Sequence, residues 1–327
     1  MSCYHHALRT RLNDAGVRYN RSLALLASGR WTEGWQEYRW RWKWDGFGTA
    51  KPSFNQSWWK GEMLPGGTLL VWCEQGLGDS LHFARYLPLA KSRCQRVLFA
   101  APRELQSLFE SCPGVDYLLK EQETIPPFDA HVPLLDLPAI FESTPDNVPN
   151  TVPYLRLPGP GLVNIPAAPR GQMKVGLVWA GGTKYPKDHL RSLHLTQLTS
   201  LLETPSVVWY SLQVGPKRVE MKDLPVTARI FDVGGKLKDF RDTAAVMCQM
   251  DLIISVCTSA LHLAGALGRP TWALLSYSPC WRWMLNGDTT PWYPTMKLFR
   301  QKAFGDWHSA IAPLSEMLRE EVRKNCW

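Results

Sequence analysis

The sequence predicts an α/β fold, with two Rossmann-like domains of parallel sheet facing a cleft and a short helical segment before them. Three observations carry this. Strand-like and helix-like stretches alternate in two separate runs, a proline- and glycine-rich stretch divides the runs, and the first fifty residues have helical spacing. A length of 327 residues suits two domains. The expected boundaries are 1–50 for the helical segment, 51–157 for the first domain and 158–327 for the second.

Residues 4 to 45 read as helices. The stretch NRSLALLASGRWTEGWQEYRW puts Leu23, Leu26, Gly29, Gly34 and Tyr38 at the packing positions of a helix–turn–helix repeat. It resembles the second half of one tetratricopeptide unit, which cannot bury its own face and must lean on the next domain. The first alternating run then has strands at 66–74, 95–101, 115–120 and within 128–138, with helices at 78–92 and 102–111. The linker is expected at 153–172. In the second run strands fall at 173–181, 206–213, 251–257 and 270–276, with helices at 192–203, 239–250, 258–268 and 308–324. Such alternation gives parallel sheets, and ligands then gather at the C-terminal ends of the strands.

Composition excludes several classes. With 45% hydrophobic and 20% charged residues the chain is globular rather than disordered. No apolar signal core and no run of about eighteen apolar residues occurs, so a cytoplasmic protein without a transmembrane segment is expected, at most peripheral to the inner membrane. Eight scattered cysteines without CxxC spacing read as reduced thiols. The net charge of +8 is diffuse and favours anionic ligands: nucleotide phosphates, acidic glycolipid, nucleic acid or headgroups. Sixteen tryptophans, clustered at Trp31, Trp35, Trp40, Trp42, Trp44, Trp58 and Trp59, read as core anchors, with carbohydrate stacking as the second reading. Self-association through these N-terminal helices is also expected.

Three loops could carry chemistry. In EQGLGDSLHFARY (74–86), Gly76 and Gly78 allow a tight turn, and Asp79 stands at a helix start as either a cap or a general base. In WAGGTKYPKDHLRS (179–192), Gly181 and Gly182 allow close backbone approach, and Lys184, Lys187 and Arg191 supply charge for a diphosphate or form a solvated basic loop. In CTSALHLAGALG (257–268), Thr258 and Ser259 stand where strand hands over to helix. His262 lies one turn on, as a core histidine or a ligand. No DxD, HExxH, Walker or GxSxG motif occurs, so no metal site and no cofactor is expected.

EQGLGDSLHFARYLPL, VGLVWAGG with RSLHL, YSLQVG, DFRDTAA and ISVCTSALHLAGALGRPTWALL occur in this order. Together they resemble the bacterial tetratricopeptide-repeat glycosyltransferases related to glycosyltransferase family 9, the ADP-heptose transferases of lipopolysaccharide core. The resemblance implies an inverting, metal-independent GT-B enzyme that uses a nucleotide-diphosphate sugar. Asp79 matches the family's general base. Gly181, Lys184, Arg191, Gln213, Asp242, Thr258, Ser259 and His262 fall to the donor side, and Gly76, Gly78, His82 and His131 to the acceptor side. Two positions depart from the family. Cys257 replaces the aspartate of DTxxxH, and Cys280 stands in PCWRW where many relatives carry an acid. A thiol accepts hydrogen bonds poorly, so Cys257 is expected to alter donor specificity. The acceptor classes left open are protein, glycolipid and DNA. A non-catalytic nucleotide-sugar or carbohydrate-binding module is the competing class, and a nucleic-acid partner the third.

Overall fold

The computed structural model describes residues 1–157, 159, 163–183 and 185–324. It divides into two units. The first comprises Met1–Asn150 and Cys280–Asn286, and the second begins at Thr151, runs to Pro279 and resumes at residue 287. This differs from the expected cut at 157/158 in two ways: residues 151–157 go with the second unit, and 280–286 with the first.

The first unit opens with α1 (Ser2–Thr10), α2 (Ala15–Ala27) and α3 (Trp31–Tyr38). Asp14 caps α2 by accepting from Val17 N–H at 2.9 Å. Leu25 and Leu26 of α2 and Trp31, Trp35 and Tyr38 of α3 are buried. The Trp35 indole donates to the Ser143 carbonyl at 2.9 Å, fastening α3 to the sheet domain. Trp31, Trp35 and Trp59 are therefore core anchors of this unit, while Trp40, Trp42, Trp44 and Trp58 are half-buried.

The sheet comprises β1 (Ser57–Trp58), β2 (Leu64–Trp72), β3 (Cys94–Ala100), β4 (Tyr117–Leu119) and β5 (Ala130–Pro133). Its order is β1-β5-β2-β3-β4, with every pair parallel. Between strands run α4 (Leu77–Phe83), α5 (Leu87–Lys91) and α6 (Arg103–Phe109), and α7 (Leu137–Ile140) follows β5. The helix expected over 78–92 is broken by a 3₁₀ turn at Ala84–Tyr86, just before Pro88, whose ring and missing N–H interrupt a helical ladder.

The second unit holds β6 (Met173–Val178), α8 (Asp188–Arg191), α9 (Thr199–Leu202), β7 (Val207–Ser211), β8 (Ile230–Asp232), α10 (Phe240–Met247), β9 (Leu252–Val256), α11 (Ser259–Ala266), β10 (Thr271–Leu275), β11 (Met296–Arg300) and α12 (His308–Lys324). The all-parallel order β11-β10-β9-β6-β7-β8 is that of a doubly wound dinucleotide fold. Val175, Leu177, Ile254, Val256 and Leu274 from the sheet pack with Ile311, Leu314 and Leu318 of α12, spaced three and four apart to make one apolar stripe. Each such burial stabilises the fold by roughly 1.5–3 kcal/mol. Strand order reverses between β6 and β9, and a crevice is expected there at their C-terminal ends. Among the described residues no helix is long and apolar enough to cross a membrane.

Candidate functional site

In the second unit the loop leaving β6 and the end of β9 meet at this switch point. Gln213, at the end of β7, clamps the loop. Its Oε1 accepts from Trp179 N–H and Ala180 N–H at 3.1 and 2.9 Å. Its Nε2 donates to the carbonyls of Ala180 and Val214, each at 3.1 Å. The Gln213 amide is thus engaged by backbone on both its oxygen and its nitrogen.

Beyond the clamp, Gly181 N–H donates to Ser192 Oγ at 2.8 Å, and Ser192 Oγ donates to Asp188 Oδ2 at 2.7 Å. Arg191 Nε donates to Asp188 Oδ1 at 2.9 Å, and its Nη1 reaches the Cys257 carbonyl at 2.9 Å. A Cβ on Gly181 would come within 2.1 Å of Asp188 Oδ1 and 2.7 Å of Arg191 Nη2, so only glycine leaves room for this pair. The Arg191 side chain is 25% exposed and joins the two crevice loops. Gly182 has open space where a Cβ would stand.

Thr258 is the N-cap of α11, with its Oγ1 3.5 Å from Ser255 Oγ, and Ser259 is the first helical residue. His262 is buried, with Nδ1 3.0 Å from the Tyr293 hydroxyl. Gly265 lets Tyr293 approach, since a Cβ there would come within 2.4 Å of its ring. This is the packed environment of a core histidine. Cys257 is half-buried just before Thr258. Asp242 lies in α10, which follows edge strand β8, two strands from β6. Its Oδ2 accepts from Lys238 N–H at 3.0 Å, and its own N–H donates to Asp239 Oδ1 at 2.9 Å, a reciprocal cap. Lys184 and residues 158 and 160–162 of the expected linker lie outside the described residues.

The first unit reverses strand order between β2 and β5. Gly76 is the N-cap of α4, Gly78 the second helical residue and Asp79 the third. Asp79 Oδ2 accepts from Gly76 N–H at 2.9 Å, so the capping geometry is present. Its Oδ1 pairs with Arg282 Nη2. Arg282 also donates to Cys280 Sγ at 2.9 Å and lies over the Trp281 ring at 4.4 Å. Trp281 in turn packs on Trp35 at 5.3 Å. PCWRW thus completes the surroundings of Asp79.

A second network lies beneath. Arg41, 0% exposed, donates through Nη2 to Glu74 Oε1 at 2.7 Å and to Asp136 Oδ1 at 2.6 Å, bridging the loops after β2 and β5. Burial, with the Asp136 carboxylate nearby, pushes the Glu74 carboxyl up to about 7, against the pull of Arg41.

The two histidines expected on the acceptor side are both buried. His82 is fully buried in α4, against Phe83 at 4.6 Å. His131 is buried within β5, with Nδ1 accepting from the Trp72 indole at 3.2 Å and Phe54 and Trp58 at 5.0 and 5.3 Å. Burial and the Lys51 charge hold its pKa below the ordinary value. Both pack the interior because the small, apolar and aromatic residues around them fill the sheet face.

Sequence reasoning missed Arg41, Asp188, Ser192, Arg282 and Tyr293. The available signals were Glu74 directly after an apolar strand, since a buried charge needs a partner, and an arginine between two tryptophans in PCWRW.

No protein-family model matches the sequence. The chain is similar to Protein FlbA of Caulobacter vibrioides, 29% identical over 94% of this chain and 55% of FlbA, so it spans about half the length of that relative. In structure it is similar to a glycosyl transferase family 9 protein from Veillonella parvula, with TM-score 0.52 and 13% identity over 81% of this chain and 97% of that one. It is also similar to the dodecameric iron-containing heptosyltransferase TibC in complex with ADP-D-β-D-heptose, with TM-score 0.53 and 10% identity over 80% and 78%. A third is E. coli heptosyltransferase WaaC with ADP, with TM-score 0.50 and 13% identity over 78% and 99%. The chain has the GT-B-like fold of two parallel-sheet domains that these proteins share.

Proposed function

We propose that the chain is a glycosyltransferase that takes a sugar from a nucleotide-diphosphate donor and passes it, with inversion and without a metal, to a hydroxyl acceptor on protein, glycolipid or DNA. One observation carries the reading. At the β6/β9 switch point, Arg191 joins the two crevice loops beside the N-terminus of α11. A partly exposed guanidinium and a helix N-terminus both favour an anion, and a leaving diphosphate is one. Thr258 and Ser259 would add hydroxyls, while Gln213 and Gly181 keep the loop in shape. Cys257 would favour a donor with fewer hydroxyls or an N-acetyl group, because a thiol satisfies sugar hydroxyls poorly.

Asp79 is the proposed general base. Gly76 N–H and Arg282 fix the carboxylate, and four lone-pair positions leave it room to accept a proton from an acceptor hydroxyl. Isothermal titration of ADP, UDP and GDP, with and without EDTA, tests donor binding. Mass spectrometry of products from a nucleotide-sugar panel with bacterial protein, glycolipid and DNA fractions tests transfer. Asp79→Asn should lower turnover by roughly 10²–10⁴ with nucleoside diphosphate affinity unchanged. An Asn variant that keeps more than about a tenth of the activity removes the base.

A second reading, a nucleotide-sugar-binding module without transfer, is favoured by the occupation of both Asp79 oxygens and by Cys257. Donor binding with neither transfer nor donor hydrolysis would decide for it.

A further inference from the structure

Strands β9, β10 and β11 end level at the C-terminal edge of the second sheet, since Val256 pairs with Leu274 and Leu275 with Arg300. Two residues beyond β10 stands Tyr277, and four beyond β11 stands Phe304. Their rings meet at 4.8 Å and 62°, yet Tyr277 is 51% exposed and Phe304 69%. Two large rings that pack on each other and still face solvent form a small apolar platform.

The platform has a built support. Gln301 is 5% exposed, and its Oε1 accepts from Tyr277 N–H at 3.0 Å, while Gln301 N–H donates to the Leu275 carbonyl at 2.9 Å. Its Nε2 is buried and has no hydrogen-bond partner. Through its oxygen the buried Gln301 amide therefore fixes the backbone that carries the Tyr277 ring to the C-terminal end of β11.

Location chooses the ligand. In a doubly wound sheet the nucleoside lies over the strands on one side of the switch point, here β6, β7 and β8. A group carried beyond the diphosphate then falls over β9, β10 and β11. Tyr277 follows β10, the strand beside the one that ends before Cys257, and neighbouring strands lie about 4.8 Å apart. A pyranose ring offers a face of C–H groups to an aromatic ring while its rim of hydroxyls stays in water, which suits two rings that face solvent.

We infer that Tyr277 and Phe304, with Gln301 holding the Tyr277 backbone, form a carbohydrate subsite for the pyranose ring of the donor. The placement rests on the donor reading above, whereas ring binding can be tested without it. The test is saturation-transfer NMR on the full chain with methyl β-D-glucopyranoside, methyl α-D-mannopyranoside and methyl N-acetyl-β-D-glucosaminide. Wild type should pass saturation to the C–H protons of one face of at least one of these. Tyr277→Ala and Phe304→Ala should each weaken that glycoside's affinity by at least about five-fold, and Tyr277→Trp should retain it. Titration with ADP and the thermal midpoint should be unchanged in every variant, which separates loss of the platform from misfolding. The inference is overturned if no glycoside binds wild type, if the alanine variants bind equally, or if adenosine competes and marks a nucleobase platform. Glycoside binding without any nucleoside diphosphate binding would sink the donor reading and leave the carbohydrate subsite standing.

Discussion

The two switch points share a topology and differ in how their loops are tied. In the first unit a fully buried guanidinium joins two carboxylates, Glu74 and Asp136, and Arg282 covers Asp79. In the second, Arg191 reaches a backbone carbonyl, one aspartate and the face of the Tyr185 ring at 4.5 Å, with a quarter of its side chain exposed. Charge buried against charge makes a loop rigid but spends the charge. Charge shared between one aspartate and a carbonyl dipole, and left partly exposed, holds the loop with less burial. The first set of loops is therefore tied by buried ion pairs and the second by a partly exposed one.

The largest test of this contrast is Arg41→Met. It leaves buried Glu74 without its cation and Asp136 with only Arg39 and the Trp58 indole, and should destabilise the protein by about 3–5 kcal/mol in urea denaturation. Replacing the whole set, Arg41→Met with Glu74→Gln and Asp136→Asn, should restore most of that loss. If the single variant is as stable as wild type, the network is not what holds the first crevice.

Glu74 gives the next effect, through pH. Its folded value of about 7 lies above the ordinary 4.5, so the stability linked to its neutral form is fully present below 4.5 and lost as pH rises through 7. The loss is about 3 kcal/mol, on the scale of 1.4 kcal/mol per pH unit. Glu74→Gln keeps an acceptor for Arg41 and should flatten the fall in unfolding free energy between these pH values. Parallel curves for the two proteins would show that Glu74 does not titrate there.

Arg191→Ala should weaken nucleoside diphosphate binding by about 1.5–3 kcal/mol, measured by titration calorimetry, with little change in the unfolding midpoint. An affinity left intact would make Arg191 a loop tie alone, like Arg41. The smallest change is at Cys257. Cys257→Asp should shift the kcat/KM ratio between two donors by about 1–2 kcal/mol. Equal ratios for wild type, Cys257→Asp and Cys257→Ala would leave Cys257 as packing.

What could be read from the sequence followed from local pattern. The strands at 173–178, 207–211, 252–256 and 271–275 lie inside the expected stretches because apolar runs between glycines and prolines mark buried parallel strands. Strands β1 and β8, of two and three residues, are too short for any periodicity. Gly181 and Arg191 were legible as a glycine and a cation in one loop, and the structure joins them. Arg41 was not, because its partners lie 33 and 95 residues away and only the sheet order unites them. The burial of His82 and His131 was not legible for the same reason, as burial is settled by what packs across an element and not by the loop it follows.

The return of 280–286 to the first unit has a consequence for synthesis. The ribosome finishes residue 150 about 130 residues before it supplies Arg282 and Trp281. At translation speeds of about 5–20 residues per second, that interval is roughly 6–26 s. During it the nascent first unit has Asp79 without its arginine and Trp35 without Trp281. The amino-terminal unit therefore reaches its final state only after most of the carboxy-terminal unit has been made, and a gene fragment stopping at residue 150 would encode an incomplete unit.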